Sequence, residues 1–334
     1  MRNSAIVVES DGSVAGRADK LFLWHFDRQW FKCGEELAPV QTSLGALGVL
    51  ICADGRIPTI ASTLVDRGAR ALVMPTAWVT SGRDPNALEN VQADLLARVR
   101  AYENQVPFVA ANKCGTELGM VAYCGKSQII DARGEILTLA DERRPATVVA
   151  RIELAERSLS RQTPSHAAPP DVVPAGGPMR LAISFGPLPP DIDERLEILG
   201  ARYVVAPHDA QRFSTLARNV AAIRADDALV LDPGGLVPLR QAGTALVAWS
   251  SDLESGWIER LARARALELR LYLVAFDRRA RRAFAVDPDG NVIAGTFNGL
   301  TCASFPFDPR KTRETSVAPG SDVADGLAQV DALR

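Results

Sequence analysis

The sequence predicts an α/β fold with a mixed β-sheet, arranged as two tandem modules. Two observations point there. Short apolar runs alternate with stretches of helical spacing, and hairpin signals interrupt them. A later set of segments then repeats an earlier one: ARVRAYENQVPFVAAN (97–112) pairs with ARARALELRLYLVAFD (262–277), and IDARGEI (130–136) with VDPDGNV (286–292). The composition allows it, because 334 residues at 47% hydrophobic and 23% charged suit one large or two medium globular domains.

Taken in order, residues 4–17 read as a hairpin turned at Asp11-Gly12. Residues 18–37 are rich in aromatic and charged residues and read as a loop around a packed aromatic cluster. Leu44 to Cys52 is a buried strand, and Ile60 to Arg67 a helix with Gly68 at its C-terminal end. Ala71 to Met74 is a strand, Ala87 to Glu103 a helix, Val106 to Ala111 a strand, and 112–119 a polar turn. Residues 127–139 form another hairpin, and Val148 to Ile152 a last strand. A Pro- and Gly-rich linker, 156–178, follows and divides the chain into modules 1–155 and 179–334. The second module is expected to have strands at 180–185 and 202–206, a helix at 191–199 and another at about 212–224. A hairpin at 228–240, pairing LDPGGLV (231–237) with VESDGSV (8–14), and a strand at 244–249 come next. The tail, 308–334, reads as a strap or a partly disordered segment.

A net charge of −2 gives no strong attraction to nucleic acid or to acidic membranes. The N-terminus has no apolar segment of the signal-peptide kind, and no apolar run reaches ~18 residues, so no membrane span is expected. The five cysteines form no CxxC pair; reduced thiols in a cytoplasmic protein are expected, with neither metal site nor cofactor. Lysine is rare: only residues 20, 32, 113, 126 and 311.

The stretch Leu47 to Pro58, LGVLICADGRIP, carries the chemistry. An apolar strand stops at Cys52, and Asp54, Gly55, Arg56 and Pro58 supply the turn. A thiol at such a corner can act as a nucleophile, with turn N–H groups facing a developing oxyanion. By itself Cys52 reads better as one more small buried residue.

The ordered set of motifs changes this balance. Lys20 after the hairpin, Trp30-Phe31 with Gly34, Gly48 to Pro58, Gly68-Ala69, Pro75 to Trp78, Arg100 to Asn104, Asn112 with Gly115, and Gly125 to Ser127 through Gly134 stand in one order. Over residues 3–155 that order resembles the carbon–nitrogen hydrolase (nitrilase) family. The resemblance implies αββα sandwiches in tandem, the second reduced. It also implies hydrolysis of a non-peptide C–N bond in a small amide, carbamoyl compound or nitrile. Cys52 would be the nucleophile through a thioester-type intermediate, and Lys20 and the Ala53 N–H would stabilise the oxyanion. Asp27 would assist the lysine or, equally well, cap a turn of its own loop, and Trp78 would line the substrate site. Glu103 fits a structural position, and Cys33, Cys114 and Cys124 read as packing residues. The partners expected are a small-molecule substrate and, optionally, further copies of the chain.

The departures are specific. The family's base glutamate lies in a segment ahead of the hairpin at which this chain begins. Thr59 stands where a glutamate is usual, and Ala53 where an aromatic is common. The second module offers Pro207-His208 where the family has Pro-Glu. His208 and Asp209 are thus either substitute bases or the polar end of a strand in a module without chemistry. Three readings therefore stand: a thiol hydrolase, a non-catalytic binding or scaffold protein, and a fragment of a longer hydrolase.

Overall fold

The computed structural model describes residues 1–82, 87–154, 177–297 and 300–334. The chain divides into two compact units, Met1–Arg161 with Ser316–Arg334, and Gln162–Thr315. The expected linker lies almost wholly outside the described residues.

The first unit begins with the hairpin β1 (Ser4–Val8) and β2 (Val14–Asp19), followed by the short helix α1 (Asp27–Trp30). Strands β3 (Val40–Thr42) and β4 (Gly45–Val49) lead to a 3-10 turn, Cys52–Arg56, and helix α2 (Pro58–Asp66). Pro58 sits in the first turn of α2, where its missing N–H costs nothing. After β5 (Ala71–Thr76), a π-helical turn (Gln92–Leu96) runs into α3 (Ala97–Asn104). Strands β6 (Phe108–Asn112), β7 (Cys114–Glu117), β8 (Val121–Cys124), β9 (Gln128–Ile130) and β10 (Ile136–Leu139) follow.

Six strands form one sheet in the order β10-β9-β6-β5-β4-β3. Its centre is parallel, β4 to β5 to β6, and β9 and β10 add antiparallel. Central parallel strands lie buried, as their continuous apolar runs require. The hairpins β1–β2 and β7–β8 are separate ladders. The resemblance implies two stacked sheets here, yet among the described residues this unit carries one large sheet. Residues 148–152 form no strand, and the polar turn at 112–119 is half of the β7–β8 hairpin. Its Gly, Thr and Glu residues disguise it, because its outer face is solvated and lacks an apolar signal.

The second unit contains β11 (Met179–Ser184), α4 (Ile192–Ile198), β12 (Tyr203–Val205), α5 (Ala210–Val220) and β13 (Ala222–Ala225). Helices α6 (Asp227–Leu231) and α7 (Val237–Gln241), strand β14 (Leu246–Ser251), helix α8 (Ser255–Leu269) and strand β15 (Tyr272–Asp277) come next. Strands β16 (Arg282–Val286), β17 (Val292–Gly295) and β18 (Cys302–Phe307) complete it. A three-stranded sheet, β12-β11-β18, and a five-stranded one, β13-β14-β15-β16-β17, share one core. Leu181, Ile183 and Phe305 from the first meet Leu246, Val274 and Ala285 from the second. This unit therefore carries two sheets around one core.

The expected hairpin at 228–240 is instead the pair α6–α7. Asp226 caps α6 through the Leu229 N–H at 2.9 Å, which directs the chain into a helix. The pairing of 231–237 with 8–14 is therefore wrong. The segments of the other expected pairings have features in common. In both units a strand ladder runs parallel, parallel, antiparallel, antiparallel: β4-β5-β6-β9-β10 and β13-β14-β15-β16-β17. Arg100 and Glu103 form a fully buried ion pair at 2.5 Å, and Arg265 and Glu268 one at 2.8 Å. Arg98 Nε donates to the Gly134 carbonyl and Arg263 Nε to that of Gly290.

The tail also departs from expectation. Strands β19 (Ser316–Ala318) and β20 (Ser321–Asp322) precede an ordered helix α9 (Val323–Leu333), and this segment groups with the first unit. Asp322 caps α9 through the Ala324 N–H, and Val323, Leu327 and Val330 are buried.

Candidate active site

Cys52 sits where β4 gives way to the 3-10 turn. Its φ is +50°, a left-handed conformation that a non-glycine residue adopts only when its surroundings hold it there. Several groups do so. Asp54 accepts the Ile51 N–H at 2.9 Å, and Arg100 Nε donates to the Gly55 carbonyl at 3.0 Å. Gln92, with its amide turned to satisfy both neighbours, donates to the Cys52 carbonyl at 2.9 Å and accepts from Trp78 Nε1 at 3.3 Å. Among the described residues the Ala53 N–H has no acceptor. It is the free donor that an oxyanion at this corner would need.

Lys20 follows β2, and its backbone is clamped on both sides. Its N–H donates to the Asn3 carbonyl, and its carbonyl accepts from the Gly34 N–H, each at 2.8 Å. Gly34 is required by this approach, because a Cβ there would lie 2.8 Å from the Asp19 carbonyl oxygen. The side chain is 4% exposed, and its ammonium meets the Asp27 carboxylate at 2.5 Å. The same Asp27 oxygen accepts the Trp24 N–H at 3.0 Å. Lysine and aspartate are therefore brought together as expected, with Asp27 also closing its own loop.

Asp54 joins the two halves of the site. One carboxylate oxygen accepts from the Leu21 N–H at 3.1 Å and the Phe22 N–H at 2.7 Å, while the other takes Ile51. The residues directly after Lys20 and directly before Cys52 are thus tied to one buried side chain. The sequence reading gave Asp54 only turn chemistry. The available signal was an aspartate embedded in an apolar strand end, where only several hydrogen bonds can compensate its burial.

Burial pushes the Asp54 carboxyl up to about 6, against the opposing pull of the Phe22, Ile51 and Leu21 N–H groups and of Lys20. The folded chain therefore holds this proton more tightly than the unfolded chain, where an aspartate titrates near 3.8. Stability from this group is greatest below about 4 and falls as the pH rises from about 4 to about 6. Urea unfolding across that window should show the decline, and Asp54→Asn should remove it. An equal slope in both proteins would contradict the assignment.

Other expected residues fall differently. Trp78 is 1% exposed and is pinned by its own backbone, donating to Asn112 Oδ1 and accepting from the Cys124 N–H. Its indole Nε1 donates to the Gln92 amide oxygen beside the Cys52 turn. Glu103 is structural, as expected, paired to Arg100 in the core. In the second unit His208 is exposed, and Asp209 caps α5 through the Arg212 N–H at 2.7 Å. That cap accounts for Asp209 without chemistry. Among the described residues no group of three or more His, Cys, Asp or Glu side chains is placed to hold a metal ion, and no helix is long and apolar enough to cross a membrane.

Residues 1–162 match the family model described as carbon–nitrogen hydrolase. This segment belongs to the carbon–nitrogen hydrolase superfamily. A probable nitrilase of Schizosaccharomyces pombe is 33% identical over 152 residues, 46% of this chain and 53% of that protein. A nitrilase of Pyrococcus abyssi is 33% identical over 154 residues, 46% of this chain and 54% of its own. The N-carbamoylputrescine amidase of Arabidopsis thaliana is 28% identical over 48% of this chain and 58% of its own. A solved carbon–nitrogen hydrolase from Helicobacter pylori G27 aligns over 43% of this chain and 54% of its own at 28% identity. Its TM-score is 0.40, too low for the fold to rest on it. The chain spans about half the length of the curated relatives it matches. The family-model match spans both Lys20 and Cys52.

Proposed function

We propose that the first unit of this carbon–nitrogen hydrolase is a thiol acyl-transfer site for a small amide, carbamoyl compound or nitrile. The observation that carries the reading is the Asp54 carboxylate, bonded at once to Leu21, Phe22 and Ile51. It holds the lysine and cysteine segments in one register. For an amide or carbamoyl compound, Cys52 Sγ gives up its proton and attacks the carbonyl carbon, and the π electrons move to oxygen; with a nitrile they move to nitrogen and a thioimidate forms. Lys20 and the Ala53 N–H stabilise the resulting charge. Collapse expels the amine, which must take up a proton, and leaves a thioester on Cys52.

The step that limits this site is proton transfer. Among the described residues Asp27 is the carboxylate paired with Lys20, and no glutamate joins them. Removing general acid–base help typically costs about 10²–10⁴ in rate. With Asp27 as the carboxylate beside Lys20, the site is expected to acylate and to turn over slowly. Purified protein mixed with simple amides, carbamoyl compounds and nitriles should show adducts on Cys52 by intact mass with little ammonia release. Turnover at ordinary enzyme rates, abolished by Cys52→Ala, would overturn the poor-catalyst reading and send the search for a base to Asp27, His208 and Asp209. The absence of any adduct would favour the rival reading of a non-catalytic binding protein.

The second unit is read as a divergent copy of the first. The matched ladders and the two buried Arg–Glu pairs support this. Arg100 Nε donates to Gly55 in the nucleophile turn, and Arg265 Nε donates to Val230 in α6 at 2.8 Å. On that alignment α6 replaces the Cys52 turn, and the copy has no thiol or lysine at the corner.

A further inference from the structure

Cys114 and Cys124 face each other across the β7–β8 hairpin, directly opposite in the antiparallel register. Their neighbours define the kind of pair. The Gly125 N–H donates to the Lys113 carbonyl at 3.0 Å, so Lys113 and Gly125 are the hydrogen-bonded pair. The Cys124 N–H points the other way, to the Trp78 carbonyl at 3.0 Å. Cys114 and Cys124 are then a non-hydrogen-bonded pair, the closer of the two kinds, with Cα atoms about 4.5 Å apart and side chains on one face. That separation lies inside the range a disulfide spans. Both thiols are free in this structure. Closing the bond requires side-chain torsions and no change of strand register.

We propose that Cys114 and Cys124 are a reversible redox pair that closes to a cross-strand disulfide under peroxide. The proposal is independent of the acyl-transfer reading, since neither residue belongs to the Lys20–Cys52 site. The two thiols differ in a way that orders the reaction. Cys114 is half-buried and reachable from solvent, whereas Cys124 is fully buried, with Asn112 Nδ2 3.5 Å from its sulfur. Burial pushes the Cys124 thiol up to about 11. Cys114 therefore reacts first: its thiolate attacks one peroxide oxygen, the O–O bond breaks, and a sulfenic acid and hydroxide form. The Cys124 sulfur then displaces the sulfenic oxygen, and its proton leaves with that oxygen as water. Two thiols and one hydrogen peroxide give one disulfide and two waters. The bond locks a hairpin whose tip carries the exposed Leu118 and Met120.

The test is a count of free thiols in one peptide. Trypsin releases Cys114–Lys126, which holds both cysteines and no internal Lys or Arg. The full chain is treated with hydrogen peroxide, alkylated with iodoacetamide in denaturant and digested. The expected result is a peptide with no alkyl group, restored to two by prior reduction. Cys114→Ser should leave Cys124 alkylated with or without peroxide. Met120 lies in the same peptide, so the readout is the alkyl count and not the mass alone. A peptide that still takes two alkyl groups while Cys33 or Cys52 is oxidised would overturn the proposal. So would sulfinic acid on Cys114 beside an alkylated Cys124.

Discussion

Replacing Asp54 with alanine should destabilise the first unit by on the order of 3 kcal/mol and slow acylation of Cys52 roughly tenfold to a hundredfold. The stability figure follows from the hydrogen bonds. The N–H groups of Leu21, Phe22 and Ile51 lose their acceptor together in a site that is 2% exposed. Each buried donor left unsatisfied costs about 1–3 kcal/mol, and three neighbours relax together, so the costs do not simply add. The rate figure follows from geometry. A displacement of about 1 Å in a reacting group can cost 10²-fold. Urea unfolding reads the first effect, and the rate of adduct formation on Cys52, followed by mass, reads the second. A stable variant that acylates like the parent would remove Asp54 from the account.

Deleting Ser316–Arg334 should loosen the segment that carries Lys20 and Asp27. Ser321 Oγ accepts the His25 N–H at 2.7 Å, and Gln329 Nε2 donates to the Gly34 carbonyl at 3.3 Å. Arg67, at the end of α2, donates to the Leu333 carbonyl at 2.6 Å. Gly326 lets α9 approach closely, because a Cβ there would lie 2.8 Å from both Phe22 and Ile57. The helix thus braces the residues after Lys20 and those after the Cys52 turn. Each buried Val or Leu of α9 contributes roughly 1.5–3 kcal/mol, partly offset by the entropy of ordering the tail. Hydrogen exchange should show faster exchange over residues 20–34, with β5 and β6 unchanged. Unchanged protection over 20–34 would show that the tail is incidental. Gly326→Leu, which leaves the chain at full length, should reproduce the effect in weaker form.

Strand β5 was legible because Ala71 to Met74 is a continuous apolar run ended by turn residues, whereas the apolar run Val49 to Ile51 overshoots β4, which ends at Val49. Cys52 and Lys20 were legible through the order of motifs around them. Less visible were features whose meaning depends on a distant partner. Asp54 looks like any turn aspartate until Leu21 and Phe22 arrive beside it. Trp78 looks exposed and functional in Pro-Thr-Ala-Trp, but its indole turns inward to Gln92. The Asp-Pro-Gly-Gly run at 232–235 carries hairpin chemistry in its letters, yet it joins two helices because Asp226 caps the first. The helix in the tail is not legible because α9 has little charge contrast and packs on Phe22 and Ile57, far earlier in the chain.

The central claim is that Cys52 and Lys20 form one acylating site in which, among the described residues, Asp27 is the carboxylate paired with the lysine. A pre-steady-state burst with p-nitrophenyl acetate tests it most directly. The account predicts a burst approaching one equivalent of nitrophenol, a slow phase after it, and the acetyl group mapped to Cys52. Cys52→Ala should abolish the burst, and Lys20→Met should slow it without changing its final amplitude. A burst that survives Cys52→Ala, or one whose rate ignores Lys20, would contradict the account.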